Sequence, residues 1–236
     1  MIHFFRKIRQ GLIENKRIRT YLTYAVGEIL LVVIGILIAL SINNRKDAVD
    51  LHKDELNLYQ DLVTELKEDL KDIRENSDFN DHFLERYRRG SDIILSDKDR
   101  EQKETLAKIA TELTNFSDFK NDRPIYDRLF SSNENTLISD SQIIRDLKSL
   151  AVSYNYLNRL EMNQQDYMYS VLPIIAEYIR VNPPEIVNLD ALYGYRFQND
   201  IEILILIMKE KKQLYQEIDN RINDLLDVFD QKLKNG

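Results

Sequence analysis

The sequence predicts an all-α protein: an N-terminal amphipathic segment, then one transmembrane helix continuing into an extracytoplasmic antiparallel bundle of about four long helices. Three observations predict it. The chain has 236 residues but only 6 Gly and 4 Pro, so turns are few and elements long. One run, Leu22–Ile42, has Glu28 as its only charge. Downstream, apolar residues recur at spacings of three and four, the period of one helix face. These divide the chain into a basic segment (1–20), a membrane helix (21–43) and a helical domain (44–236).

In the first segment, Met1, Phe4, Phe5, Ile8, Leu12 and Ile13 recur at helical spacing, with basic residues largely between them. Six basic residues stand against Glu14, so residues 1–20 carry a net +5, while the whole chain carries −7. A short basic amphipathic helix of this kind lies in the headgroup layer. Phe4, Phe5, Arg6, Lys7 and Arg9 are its candidate membrane-surface contacts.

The run from Leu22 to Ile42 matches the ~20 residues that a helix needs to cross a ~30 Å hydrocarbon core. Its β-branched residues do not oppose helix there, because lipid offers the backbone no other hydrogen-bond partner. A buried core helix is the weaker rival. Signal cleavage is the better one, since Ala39-Leu40-Ser41 resembles a small-x-small site. The long amphipathic segment before the run favours a retained anchor. Basic residues are concentrated ahead of it, which places the N-terminus in the cytoplasm.

Residues 28, 32, 35, 39 and 42 lie along one stripe of the helix. Gly35 and Ala39 on that stripe form a small-x-x-x-small pair that permits close helix approach. Three readings of Glu28 stay open: a carboxylate at the cytoplasmic headgroups paired with Arg17 or Arg19, a hydrogen bond across a helix contact, or an ion relay.

The stretches FFRKIRQ and YAVGEILLVVIGILIALSINN carry a resemblance. They resemble the opening of an uncharacterised family of single-pass membrane proteins from Bacteroidota, chiefly flavobacteria, known as a domain of unknown function. YDRLFSSNENTLISD, at 126–140, is similar to a second stretch of that family, with Asn133 where a Gly is expected. Arg45 stands where members often have Trp. The resemblance implies an inner-membrane protein with a periplasmic helical domain, and no activity.

The first bundle helix continues out of the membrane on Leu56, Tyr59, Val63, Leu66, Leu70 and Ile73, then Leu84, Tyr87 and Ile94 around Gly90. SDKDRE, at 96–101, reads as a turn with Ser96 or Asp97 as a cap. A second helical region spans about 101–132, broken before Pro124, which suits a restarting first turn. A third helix runs from about Ser141 to Ile179 on Ile143, Leu147, Leu150, Tyr154, Leu157, Met168, Val171 and Ile175, with a kink expected at Pro173. Glu161 and Gln164 interrupt that seam; a locally loosened seam is preferred to a buried polar layer. Residues 181–200 read as the longest irregular stretch. In it Tyr193, Tyr195 and Phe197 either cap the bundle end, the preferred reading, or form an exposed partner contact. The last helix has the most regular pattern: Ile201, Leu204, Met208, Lys211, Tyr215, Ile218, Ile222, Leu225 and Phe229, with Lys211 its one charged position.

The chemistry search yields no catalytic constellation. Cys is absent, which removes disulfides and thiolate metal sites. His3, His52 and His82 have no metal-ligand spacing, and DFNDH, at 78–82, lacks the Gly and distal Glu of a calcium loop. No metal and no cofactor are expected. An acidic body is not a nucleic-acid binder. The expected function is interaction: a scaffold, adaptor or accessory subunit of an envelope complex, with the bilayer, a second copy or another membrane protein as partner. The alternatives are an ion-coupled transport subunit using Glu28, and a ligand-sensing domain acting through a partner.

Overall fold

The computed structural model describes residues 18–119, 137–181 and 185–235, with side chains described from residue 22 onward. The chain separates into two compact units, Met1–Asp54 and Glu55–Gly236. The described residues are helical apart from short connections and one antiparallel ladder of two residues by two.

Helix α1 runs unbroken over Ile18–Ser96, 79 residues. No Pro interrupts it. Within Met1–Asp54, its apolar run is exposed: a window of mean hydropathy 2.7 has none of its residues buried. α1 is therefore long and apolar enough to cross a membrane. The amphipathic segment with Phe4, Phe5, Arg6, Lys7 and Arg9 lies outside the described residues.

The unit Glu55–Gly236 is built from the rest of α1, α2 (Lys103–Glu112), α3 (Ser141–Tyr178), strands β1 (Ile179–Arg180) and β2 (Glu185–Ile186), α4 (Leu189–Leu192) and α5 (Tyr195–Asn235). Side-chain bonds fix the helix directions. Arg74–Asp219, Asp81–Lys212 and Ser91–Glu202 run α5 antiparallel to α1. Ser153–Glu217 and Gln164–Lys211 run it antiparallel to α3. Glu55–Ser139 and Asp69–Tyr154 show that α1 and α3 point the same way.

These helices bury two cores. The first joins Leu58–Ile73 of α1, Ile143–Leu160 of α3 and Leu214–Phe229 of α5, with Phe119 and Ile138. The second joins Leu84–Ile93 of α1, Leu106–Leu113, Met168–Ile179 and Phe197–Met208, with Leu192. Each buried Leu, Ile or Phe contributes ~1.5–3 kcal/mol by leaving water. All nine seam positions expected for the last helix are buried, and so are all eight apolar ones expected for α3. α1 differs slightly: Leu58, Leu62 and Ile93 are buried, whereas Val63 and Ile94 lie at the core margin.

The second helical region departs further from expectation. α2 has only ten residues, and Leu113–Phe119 continues without helix. The restart at Pro124 lies outside the described residues. A turn at 113–114, with Leu113 in the right-handed helical region and Asn115 N donating to the Glu112 carbonyl at 3.0 Å, leads into irregular chain in which Ser117 and Phe119 are buried and Asp118 is exposed. On α1, Gly90 lets α2 and α5 approach: a Cβ there would sit 3.0 Å from Ile109 Cγ2 and 3.3 Å from Ile201 Cδ1.

α3 begins at Asp140, whose carboxylate accepts from Gln142 N at 2.9 Å, an N-cap bond. Pro173 lies inside α3 on its exposed side. The stretch 181–200 is not irregular throughout. Tyr178 C=O accepts from Val187 N and Asn188 N, which closes the two-stranded ladder onto α3. Asn188 caps α4 by accepting from Ala191 N at 3.0 Å, and α5 already begins at Tyr195. Asp97 serves as the anticipated turn residue, accepting from Gln102 N at 2.7 Å and Glu101 N at 3.1 Å.

Candidate functional site

Between the two cores lies a polar layer to which α1, α3, α5 and the non-helical segment after α2 all contribute. Asn80, Ser117, Glu161, Gln164 and Lys211 are all buried there, Lys211 completely. The layer corrects the expectation of a loosened seam: Glu161 and Gln164 are buried and bonded.

Lys211 Nζ donates to Ser117 Oγ at 2.5 Å, to Gln164 Oε1 at 2.9 Å and to the Ser117 carbonyl at 3.5 Å. Those three acceptors match the three donors of an ammonium. Glu161 Oε1 lies 3.8 Å from Nζ, an ion pair without a direct hydrogen bond. The same oxygen accepts from Tyr215 OH at 2.8 Å, and Oε2 accepts from Phe119 N at 3.1 Å. Ser117 Oγ and Tyr215 OH are 2.9 Å apart. Tyr215 has one hydroxyl proton, already given to Glu161, so it accepts from Ser117. The protons therefore order into one directed chain, from Lys211 through Ser117 and Tyr215 to Glu161.

Burial dominates the electrostatics of this chain. It lowers Lys211 to about 8, partly opposed by the charges of Glu161 and Asp118. It raises Glu161 above the ordinary carboxylate range, against the pull of Lys211 and the bonds from Tyr215 and Phe119 N. It also raises the Tyr215 phenol, with the Glu161 charge adding to the effect. Asn80 completes the layer by donating to the Met208 carbonyl at 3.0 Å.

Tyrosine–carboxylate bonds recur through the domain. Tyr59 donates to Glu55 at 2.7 Å, Tyr154 to Asp69 at 2.7 Å, Tyr167 to Asp200 at 2.9 Å and Tyr193 to Asp97 at 2.6 Å. Glu55 also accepts from Ser139 N and Ser139 Oγ, both at 2.7 Å, tying the start of the domain to the α3 cap. The chain has no Trp, and its tyrosines supply an apolar body with a polar tip instead.

The residues expected to form sites fall in different places. Phe197 is fully buried in the second core, which removes it as a partner contact. Tyr193 is half-buried, bonded to Asp97, and covered by Arg100 at 5.3 Å from its ring. Both therefore cap the end of the helices, whereas Tyr195 is 80 % exposed. Glu28 is half-buried in a cavity of about 480 Å³ lined by Thr23, Tyr24, Gly27, Leu31 and Val32. Gly35 and Ala39 are exposed, and a Cβ at Gly27 or Gly35 would meet nothing within 4 Å. In DFNDH, Asp81 pairs with Lys212 at 2.6 Å and His82 packs edge-on to Phe83, so the stretch serves packing. No cluster of three metal-ligating side chains occurs among the described residues.

The sequence signalled part of the polar layer. Glu161 and Gln164 break one seam, and Lys211 is the one charge in another. Antiparallel seams carrying complementary breaks at matching heights are the signal that would have paired them. Ser117 and Tyr215 gave no such signal, because a Ser in a loop and a Tyr in a seam are both ordinary.

The fold and the exposed apolar helix define a class: an α-helical protein carrying one helix fit to cross a membrane. Residues 28–171 match the family of unknown function DUF6090, more than half of the chain, and the protein belongs to that family. The matched region runs from Glu28 to Val171 and includes Ser117, Glu161 and Gln164, while Lys211 and Tyr215 lie beyond it. No curated protein and no solved structure matches the chain.

Proposed function

We propose that this is a single-pass protein of a bacterial inner membrane. Its N-terminus is cytoplasmic, and residues 44–236 form a periplasmic helical bundle that works by binding a partner and not by catalysis. The opening motif further suggests a member from the Bacteroidota. The observation that carries the reading is the exposed apolar face of α1. Leu22, Val26, Ile29–Ile34, Ile36–Ile38, Leu40 and Ile42 are all exposed. An apolar surface of that extent is stable only against lipid or protein. The charge difference between residues 1–20 and the rest supports the orientation.

Fractionation with alkaline washing, protease protection in spheroplasts and crosslinking in native membranes test this reading together. The expected result is a membrane-retained chain of full length, protease-sensitive from the periplasm, crosslinked to a second copy or to another envelope protein. A mature chain trimmed after Ser41, or recovery of monomer alone, argues against it.

A second reading rests on the stripe that Glu28 shares with the exposed small residues Gly35 and Ala39. It takes Glu28, Gly35 and Ala39 as a helix-contact face, with ion coupling as its functional variant. Glu28→Gln separates the two: lost assembly supports contact, whereas lost function with intact assembly supports coupling. An unchanged protein leaves Glu28 interfacial. Ligand sensing through a partner is the remaining alternative.

A further inference from the structure

We propose that residues 113–119 form a strap that opens to let water onto the buried Lys211–Glu161 layer while α1, α3 and α5 stay packed. At the height of this layer three sides of the domain are continuous helices, each holding its own backbone ladder. Among the described residues, the fourth side is met by non-helical chain, because α2 ends at Glu112.

The strap is held largely through side chains. Tyr87 OH donates to the Glu112 carbonyl at 2.8 Å. Ser117 bonds Lys211 and Tyr215, and Phe119 N donates to the Glu161 carboxylate. The Phe119 ring packs on Tyr154 with centroids 5.2 Å apart. Opening the strap breaks these links without breaking a helix hydrogen bond.

Opening also rehydrates two opposite charges that burial penalises and that have no direct hydrogen bond to each other. A cavity of about 360 Å³ lies beside the strap, lined by Phe116, Asp118, Phe119, Asn158, Glu161 and Met162 among others. A segment held by side-chain anchors and not by a backbone ladder opens at lower free energy than the helices it covers.

Hydrogen exchange on the full chain in detergent micelles tests this. Amides of 115–119 are expected to exchange about 100-fold faster than those of α3 and α5 at the layer, by sub-global opening. Tyr215→Phe removes the Ser117–Tyr215 link of the strap and is expected to speed strap exchange by about tenfold, the worth of a net hydrogen bond, leaving residues 143–157 unchanged. Acylation of Lys211 by an amine-reactive reagent is expected to accelerate by the same factor. Strap amides exchanging no faster than the helices beneath them would overturn the proposal. So would a Tyr215→Phe effect spread equally over all helices, or acylation of Lys211 only on global unfolding.

Discussion

At Lys211 the free energy of one side chain is spread over α3, α5 and the non-helical segment after α2, and its partners decide what a substitution does. Lys211→Met leaves Glu161 buried without its counter-charge and is expected to destabilise by about 3–5 kcal/mol, read from the urea midpoint. Adding Glu161→Gln removes the stranded charge, so the double variant is expected to return to within about 1 kcal/mol of the parent. The pH dependence has a definite sign. Lys211 titrates near 8 when folded and 10.5 when unfolded, so between those values the unfolded chain holds the extra proton. Stability from this group therefore rises with pH from about 8, by on the order of 3 kcal/mol across the whole window. Glu161 acts on the acid side: its raised value means stability falls as pH rises from the unfolded value of 4.5. Urea midpoints from pH 7 to 9.5 are expected to climb in the parent and stay flat in the double variant. Higher pH is uninformative, because the buried phenols, raised by burial and their carboxylate partners, reverse the trend as the unfolded tyrosines ionise.

Single elements show what the sequence made legible and what it did not. The cores of α3 and α5 were readable, because each repeats an apolar face over about ten turns, although α5 starts six residues before the Ile201 expected from its seam. Asp140 caps α3, a role the apolar seam alone did not assign. The 181–200 stretch misled because Pro183-Pro184, Asn188 and Gly194 punctuate it and break any helical period. There the N-caps and backbone bonds to Tyr178 organise a ladder and a short helix too small to show periodicity. α2 misled in the opposite way: helical spacing in 103–112 gives no warning that 113–119 leaves the helix, where Ser117 and Phe119 are anchored by α3 and α5. Two substitutions test the element-level account. Pro173 lies on the exposed side of α3, where its ring removes a helix hydrogen bond and serves no core contact. Pro173→Ala is expected to raise stability by about 1–3 kcal/mol, part of the helix gain being offset by a more flexible unfolded chain. Gly90 sits where α1 meets Ile109 and Ile201 at contact distance. Gly90→Leu is expected to cost about 1–3 kcal/mol through overpacking, despite the better helix propensity of Leu. Thermal or urea unfolding measures both.

At the scale of the whole molecule, the proposed function gives the two units different solvents, which would separate anchoring from folding. The buried residues of Glu55–Gly236 are assembled without any from the apolar window of α1. A charge placed in that window should therefore alter membrane residence and leave the helical domain's own stability unchanged. Val33 lies near the middle of the 22–42 run and is exposed. Val33→Arg adds about 2.5–3.5 kcal/mol to insertion at the centre of a span. The remaining apolar residues give a favourable total of comparable size, so the expected outcome is a reduced fraction retained after an alkaline wash. The urea midpoint of the domain should match the parent within error. A cleaved leader predicts something else. The same substitution would then impair export, and the mature chain would appear shortened past Ser41 in both proteins. A window buried against the domain predicts a third pattern, in which Val33→Arg lowers the urea midpoint because the charge enters a packed interface. Membrane retention and domain stability measured on one pair of proteins therefore distinguish an anchor from a leader and from a core helix.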